Sequence, residues 1–346
     1  MFWPSIAVLS TLSFAWAAQA ATRPHYGGTL RIEMHEAAET ADPPQPGDLS
    51  PARRLAGLLG PFRIVRWEPG RRAVYAADET FPGGRPFLDA IEIELGRAPR
   101  DQLLDLEVGK ADMVEASPGE ARRPASELRV WSSAPIRLLA LVAANTADPA
   151  ARQALALAID RSAIRNVLLQ RQGEIASGIL PQWLSGYAFV FATPRDLARA
   201  RSIAAALPAP ARALTLGYDP VAPQARSIAD RVALNARDAG LAVQVSPQNP
   251  RADLRLATAD MVSADPAVAL AQAALALGVG EPPRAESPEA LYHAERALLE
   301  NARVIPLCHL PESWAVAPRV RSWRAPPVNR MGAWQLEDVW LEPAKP

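Results

Sequence analysis

Between residues 213 and 246 the chain runs strand, helix, strand, and this unit limits the fold more than any other stretch. ALTLGYD reads as a strand, PQARSIADRVALNARDAG as a helix with Gly240 past its end, and LAVQVS as a second strand. Two consecutive strands joined by a helix pair in parallel, so the chain contains a parallel sheet with helices on it. DLRLAT extends that sheet. SPEALYHAERALLENA is a helix with Ser287 as N-cap and Pro288 in its first turn, and RVIPLCHL is the strand after it.

The N-terminal part is richer in turns. A strand at about 29–34 leads into a polar, Pro-rich loop, HEAAETADPPQPGD, and SPARRLAGLL is a short helix capped at Ser50-Pro51. FRIVRWE and RAVYAAD alternate as a hairpin across Glu68-Pro69-Gly70, and Ile91 and Ile93 share one face of a further strand. PRDQLLDLEVGKADMVEA is a helix ending near Gly109, then a strand. DPAARQALALAIDRSAIRNVLLQ reads as one strong helix, with Asp148 capping it and Leu155, Ile159, Ala163 and Val167 in one apolar stripe. Arg152 projects onto that stripe, and Asp148 one turn back is its expected partner.

Composition narrows the class of function. The 346 residues carry 37 Lys+Arg against 37 Asp+Glu, so charge gives no case for nucleic acid or an anionic membrane as partner. The apolar start ends in Ala18-Gln19-Ala20, a cleavage pattern before Ala21. Residues 1–20 are therefore expected to be a signal peptide, with an uncleaved anchor as the alternative. No cysteine stands at the cleavage point, so no lipid anchor is indicated. The single cysteine, Cys308, forms no intrachain disulfide and reads as a small core residue. The four histidines, His25, His35, His293 and His309, have no metal-ligand spacing, and no G-x-S-x-G elbow, phosphate loop or G-x-G-x-x-G is present. No enzyme activity, metal or cofactor is expected, and an exported α/β chain of this kind suits a hinge-closing binder.

A set of segments, in order, adds a resemblance. YGGTLRIEM, GPFRIVRWEPGRR, GGRPFLDAIEIE, LEVGKADMVEA, ARQALALAIDRSAI, ILPQWLSGY and LYHAERALLENARVIPL resemble the extracellular solute-binding proteins of the peptide/nickel ABC-transporter type, family 5. The resemblance implies a two-lobed periplasmic-binding-protein (Venus-flytrap) α/β fold, type II-like. Lobe I would comprise 21–130 plus 315–346, and lobe II 131–314. It further implies that the accessory domain the family usually carries between the first strand and the GPF segment is missing. The expected function is binding a peptide-like or other small polar solute between the lobes and delivering it to an ABC permease from the periplasm, as a monomer. The alternative is a sensor or interaction protein on the same fold. The site residues implied are Glu36 and Glu39 in the loop after the first strand, Asn145, Thr258, Asp260 and Asp265, His309 and Trp314, and Trp183 and Tyr187. Turn or cap duty is the alternative for the two aspartates.

Overall fold

The computed structural model describes residues 23–35, 37, 60–116, 128–222, 224–261, 263–324 and 336–343. The helix expected in SPARRLAGLL and the expected leader lie outside them.

Among the described residues, eleven strands hydrogen-bond into one sheet. In the first part of the chain, β1 (Thr29–Glu33) lies between β4 (Ala90–Glu94) and β5 (Met113–Glu115), parallel to both. β2 (Phe62–Glu68) and β3 (Arg72–Ala77) form the expected hairpin, and β3 pairs with β4. The three-residue hairpin loop needs a left-handed residue, and Gly70 supplies it at φ +66. Helix α1 (Pro99–Glu107) leads into β5.

Two long strands connect this part to the rest. β6 (Arg129–Ala143) has 15 residues, and β11 (Val304–Val316), its antiparallel partner, has 13. The end of β11 pairs with β5. The second half of β6 pairs with β10 (Leu254–Asp260), which runs parallel to β8 (Ala213–Tyr218). β8 is parallel to β9 (Ala242–Pro247), as the strand-helix-strand pattern requires, and the short β7 (Glu174–Ile175) pairs with β11. Midway along the long pair, Pro311 stands opposite Pro135, between two register shifts. Neither proline has an N–H, so the ladder is interrupted there and the strands can bend.

The cores divide at that point. Leu30, Ile32, Phe62, Tyr75, Ile91, Ile93, Met113 and Trp314 pack in the first half of the sheet. In the second half β6 is covered on both faces, and its pleat sends alternate residues to each. Leu139 and Leu141 join Leu155, Ile228, Val232 and Leu254 beneath α2 (Pro149–Ala158) and α4 (Ala225–Asp238). Leu138, Ala140 and Val142 join Met261, Leu270, Leu277 and Leu291 beneath α5 (Pro266–Leu277) and α6 (Pro288–Leu299). Ser287 and Pro288 cap α6 as expected. Cys308 is fully buried, and burial pushes its thiol up to about 12, which makes it a core residue rather than a nucleophile.

The helix expected across 148–170 is broken. α2 stops at Ala158, Ile159 is extended, and a short turn at Arg161–Ala163 continues as a wide π-turn over Ile164–Leu168. Asp160 caps the second piece by accepting from the Ala163 amide at 2.8 Å, while its own amide donates to Asn235 Oδ1 at 3.0 Å. The stripe therefore ends at the break: Leu155 and Ile159 are buried, but Val167 is exposed. Asp148 acts on Arg152 as a nearby opposite charge that raises its pKa, but the two form no close ion pair. Asp148 spends its carboxylate on the Ala150 and Ala151 amides. Arg152 is buried with its Nε unpaired, and burial together with the nearby Arg303 pulls its pKa down. A further helix, α3 (Leu197–Ala206), packs against α2.

Candidate functional site

The parallel strands of both halves send their carboxyl ends toward the same space, a cleft of 1310 Å³. On one side it is lined by His35 after β1, Gly96 after β4 and Glu115 at the end of β5. Facing them are Tyr218 and Asp219 at the end of β8, Gln248 and Asn249 after β9, and Thr258 and Asp260 at the end of β10. Arg137 of β6 and Leu310–Ser313 of β11 form the floor, at the proline-interrupted crossing. Ligands of open α/β sheets bind beyond the carboxyl ends of the strands, and here two such sets of ends converge.

Polar groups fix each wall. Glu115 Oε2 accepts from the His35 amide at 2.6 Å, and the Glu115 amide donates to the fully buried Gln102 at 3.0 Å. Gln102 also donates to the Arg97 carbonyl, which lies 3.2 Å from His35 Nδ1. Behind them Arg97 joins Glu33 to Asp105. Burial pushes Glu33 up to about 7, against the lowering effect of Arg97. Where the floor meets the opposite wall, Arg137 and Asp260 face each other across β6 and β10, with Nε to Oδ1 at 2.6 Å and Nη2 to Oδ2 at 2.9 Å. At the floor Glu312 accepts from Trp314 Nε1 at 2.9 Å, and the hydroxyls of Ser132 and Ser313 bond to each other at 2.7 Å.

Of the residues expected at the site, Thr258 and Asp260 line the cleft together. Glu36 and Glu39 lie outside the described residues, although His35 and Ala37 beside them are in the lining. Asp265 does cap duty, accepting from the Ala267 and Val268 amides at the start of α5. His309 is 1% exposed and donates from Nε2 to the Ile179 carbonyl at 3.0 Å, and burial pulls it down to about 4. Trp314 is fully buried in the first core. Trp183 is exposed and donates to the Pro135 carbonyl at 2.8 Å, which places it against the strand crossing rather than in the lining. Tyr187 packs edge-on against Phe191 and Tyr292. Asn145 is exposed in the turn after the carboxyl end of β6, away from Arg137 in the middle of that strand. Sequence reasoning missed Arg137, Glu115 and Glu312. The only local signal for Arg137 is one charge heading the apolar run LLALVA.

Among the described residues no His, Cys, Asp and Glu are grouped to hold a metal ion, and no helix is long and apolar enough to cross a membrane. Two lobes of α/β structure, joined by paired strands and facing each other across a cleft, define a solute-binding protein by architecture. The profile of the bacterial extracellular solute-binding proteins, family 5 Middle, matches residues 11–276, and the chain belongs to that family. Over 156 residues, 42% of this chain, it is 30% identical to a probable di/tripeptide-binding protein 5 of Pseudomonas aeruginosa. Over 171 residues, 46% of this chain, it is 28% identical to the probable ABC transporter periplasmic-binding protein SapA of Escherichia coli. The matched part spans 29% of the length of each of these relatives. Among solved structures, a dipeptide binding protein from Pseudoalteromonas in complex with Met-Leu aligns with TM-score 0.69 at 14% identity, covering 82% of this chain and 64% of that one. The ABC transporter substrate-binding protein CtaP of Listeria monocytogenes aligns with TM-score 0.67 at 16% identity, covering 82% and 66%. At these identities the likeness is one of fold.

Proposed function

We propose that this chain is the periplasmic binding subunit of an ABC importer, that it takes a peptide-like or other small polar solute in the inter-lobe cleft, and that it delivers the solute to a membrane permease. One observation carries the reading: the carboxyl ends of parallel strands from both halves line one 1310 Å³ cleft, over a strand crossing interrupted by Pro135 and Pro311. A ligand touching both walls favours the closed arrangement by its extra contacts there, and the crossing is where the strands bend. The peptide class rests on the names of the relatives. In this proposal the lobes divide at the crossing, near the expected boundaries at residues 131 and 314, and the packing of Trp314 with the first core supports counting it with lobe I. β1 and β2 share one sheet although only residues 34–61 separate them, which supports the absence of the family's accessory domain. The export signal and monomeric state expected from the sequence belong to the same proposal.

Binding without catalysis fits the polar groups of the cleft. The ring of His35 lies against a backbone carbonyl, and the Ser132 and Ser313 hydroxyls satisfy each other rather than a base. The test is a thermal-shift screen of the mature chain against peptides, amino-acid conjugates, oligosaccharides and metal chelates. A ligand that binds only the folded state raises its unfolding temperature, by an amount equivalent to about 2.7 kcal/mol at a hundredfold excess over Kd. A rise with short peptides is expected. No rise with any class would sink the importer reading.

A further inference from the structure

The carboxylate of Asp260 is already occupied. In the sheet register it stands directly opposite Arg137, and the two side chains meet fork to fork at 2.6 and 2.9 Å. Both line the cleft, yet the Asp260 side chain is only 12% exposed and that of Arg137 30%. A cation arriving from the cleft finds little free carboxylate surface. To replace the guanidinium, a ligand ammonium would have to break a bidentate charged pair whose two backbones lie on adjacent strands. The β6–β10 ladder runs in register from Ala143↔Leu254 to Arg137↔Asp260, so the two backbones hold these side chains opposite each other.

We infer that Arg137 is a specificity-determining residue of this cleft: it closes Asp260 to ligand cations, so the solute is selected without a salt bridge from a free ammonium to that carboxylate. The inference rests on the peptide-binding reading above and sharpens its ligand class to peptide-like solutes whose amino terminus is blocked, or is not read at this wall.

The test compares dialanine with N-acetyl-dialanine by calorimetric titration of the mature chain. Wild type should discriminate between them by less than about threefold. Arg137→Gln exposes the carboxylate and should prefer the free amine by about tenfold or more, the size of one charge-assisted hydrogen bond. Adding Asp260→Asn to that variant should remove the preference. Arg137→Lys keeps the charge without the fork and should fall between wild type and Arg137→Gln. It carries the test if the Gln variant does not fold. A tenfold preference for the free amine in wild type, abolished by Asp260→Asn, overturns the inference while leaving the binding reading intact. So does a folded Arg137 variant that gains no preference. Failure of both peptides to bind any of the proteins overturns the peptide reading itself, and the inference with it.

Discussion

Gly178 is held to glycine by what lies above it. A Cβ there would come within 2.5 Å of Glu295 Oε1, and that oxygen accepts from the Leu180 amide at 2.9 Å. Glu295 is fully buried, so it cannot swing into solvent to make room. The conflict is steric and needs no unusual backbone angle. Gly178→Ala is therefore expected to destabilise the protein by about 1–3 kcal/mol, the usual range for overpacking, read as a lower urea midpoint at unchanged slope. Truncating the neighbour as well, in Gly178→Ala with Glu295→Ala, should cost less than the sum of the two single changes. Strict additivity would mean that the contact is not the cause.

The break after α2 shows what local sequence could and could not carry. Arg161 is turned inward by the break, with Nε donating to the Pro306 carbonyl at 2.7 Å and Nη1 reaching the carbonyls of Ala156 and Thr193 at 3.1 and 3.3 Å. Burial lowers its pKa to about 10, so it stays charged at neutral pH. Arg161→Met should leave those carbonyls without a donor and cost about 2–4 kcal/mol in chemical denaturation, with Arg161→Lys recovering only part, since a single ammonium nitrogen cannot stand where both Nε and Nη1 do. A loss below about 0.5 kcal/mol would show that the break is held by Asp160 and Asn235 alone. Elements signalled by neighbouring residues were legible: the Asp148 and Ser287 caps, the hairpin at Glu68–Arg72 and the parallel β8–β9 unit. β6 was not, because its second half is apolar on both faces and shows no period, and its first half holds a proline. α5, apolar nearly all round as PAVALAQAALAL, failed for the same reason. At the site, Asp260 came through the family resemblance, whereas Arg137 matters only through a cross-strand register linking it to a residue 123 positions away.

At the scale of the whole molecule, the chain from β7 toward Trp183 is pinned from two directions by groups of opposite pH behaviour. His309 of β11 holds the Ile179 carbonyl, and Glu295 of α6 holds the next residue through the Leu180 amide. Burial pushes Glu295 from 4.5 up to about 7. Between those values the folded chain keeps a proton that the unfolded chain releases, so this group's contribution is full below pH 4.5 and is lost as pH rises through 7. Burial pulls His309 from 6.5 down to about 4, with Glu174 3.9 Å from its Nδ1. Its contribution is full above 6.5 and is lost as pH falls through 4. Glu33, also raised to about 7, acts in the same sense as Glu295. In the shared window these two acids, joined by Glu174, which burial also raises, oppose one histidine, so wild-type stability should fall with rising pH by at least one proton's worth, about 1.4 kcal/mol per pH unit. Glu295→Gln keeps the acceptor for Leu180 but removes one acid. Its urea-derived stability should fall less steeply than wild type's from pH 5 to 6.5, by up to about 1.4 kcal/mol per pH unit, and above pH 7 it should exceed wild type by up to about 3 kcal/mol. His309→Asn removes the opposing group, so its stability should fall more steeply than wild type's across the same window, by up to about 1.4 kcal/mol per pH unit. If Glu295→Gln leaves the wild-type slope unchanged, the proton is not on Glu295, and the buried carboxylate is charged beside the Leu180 amide throughout.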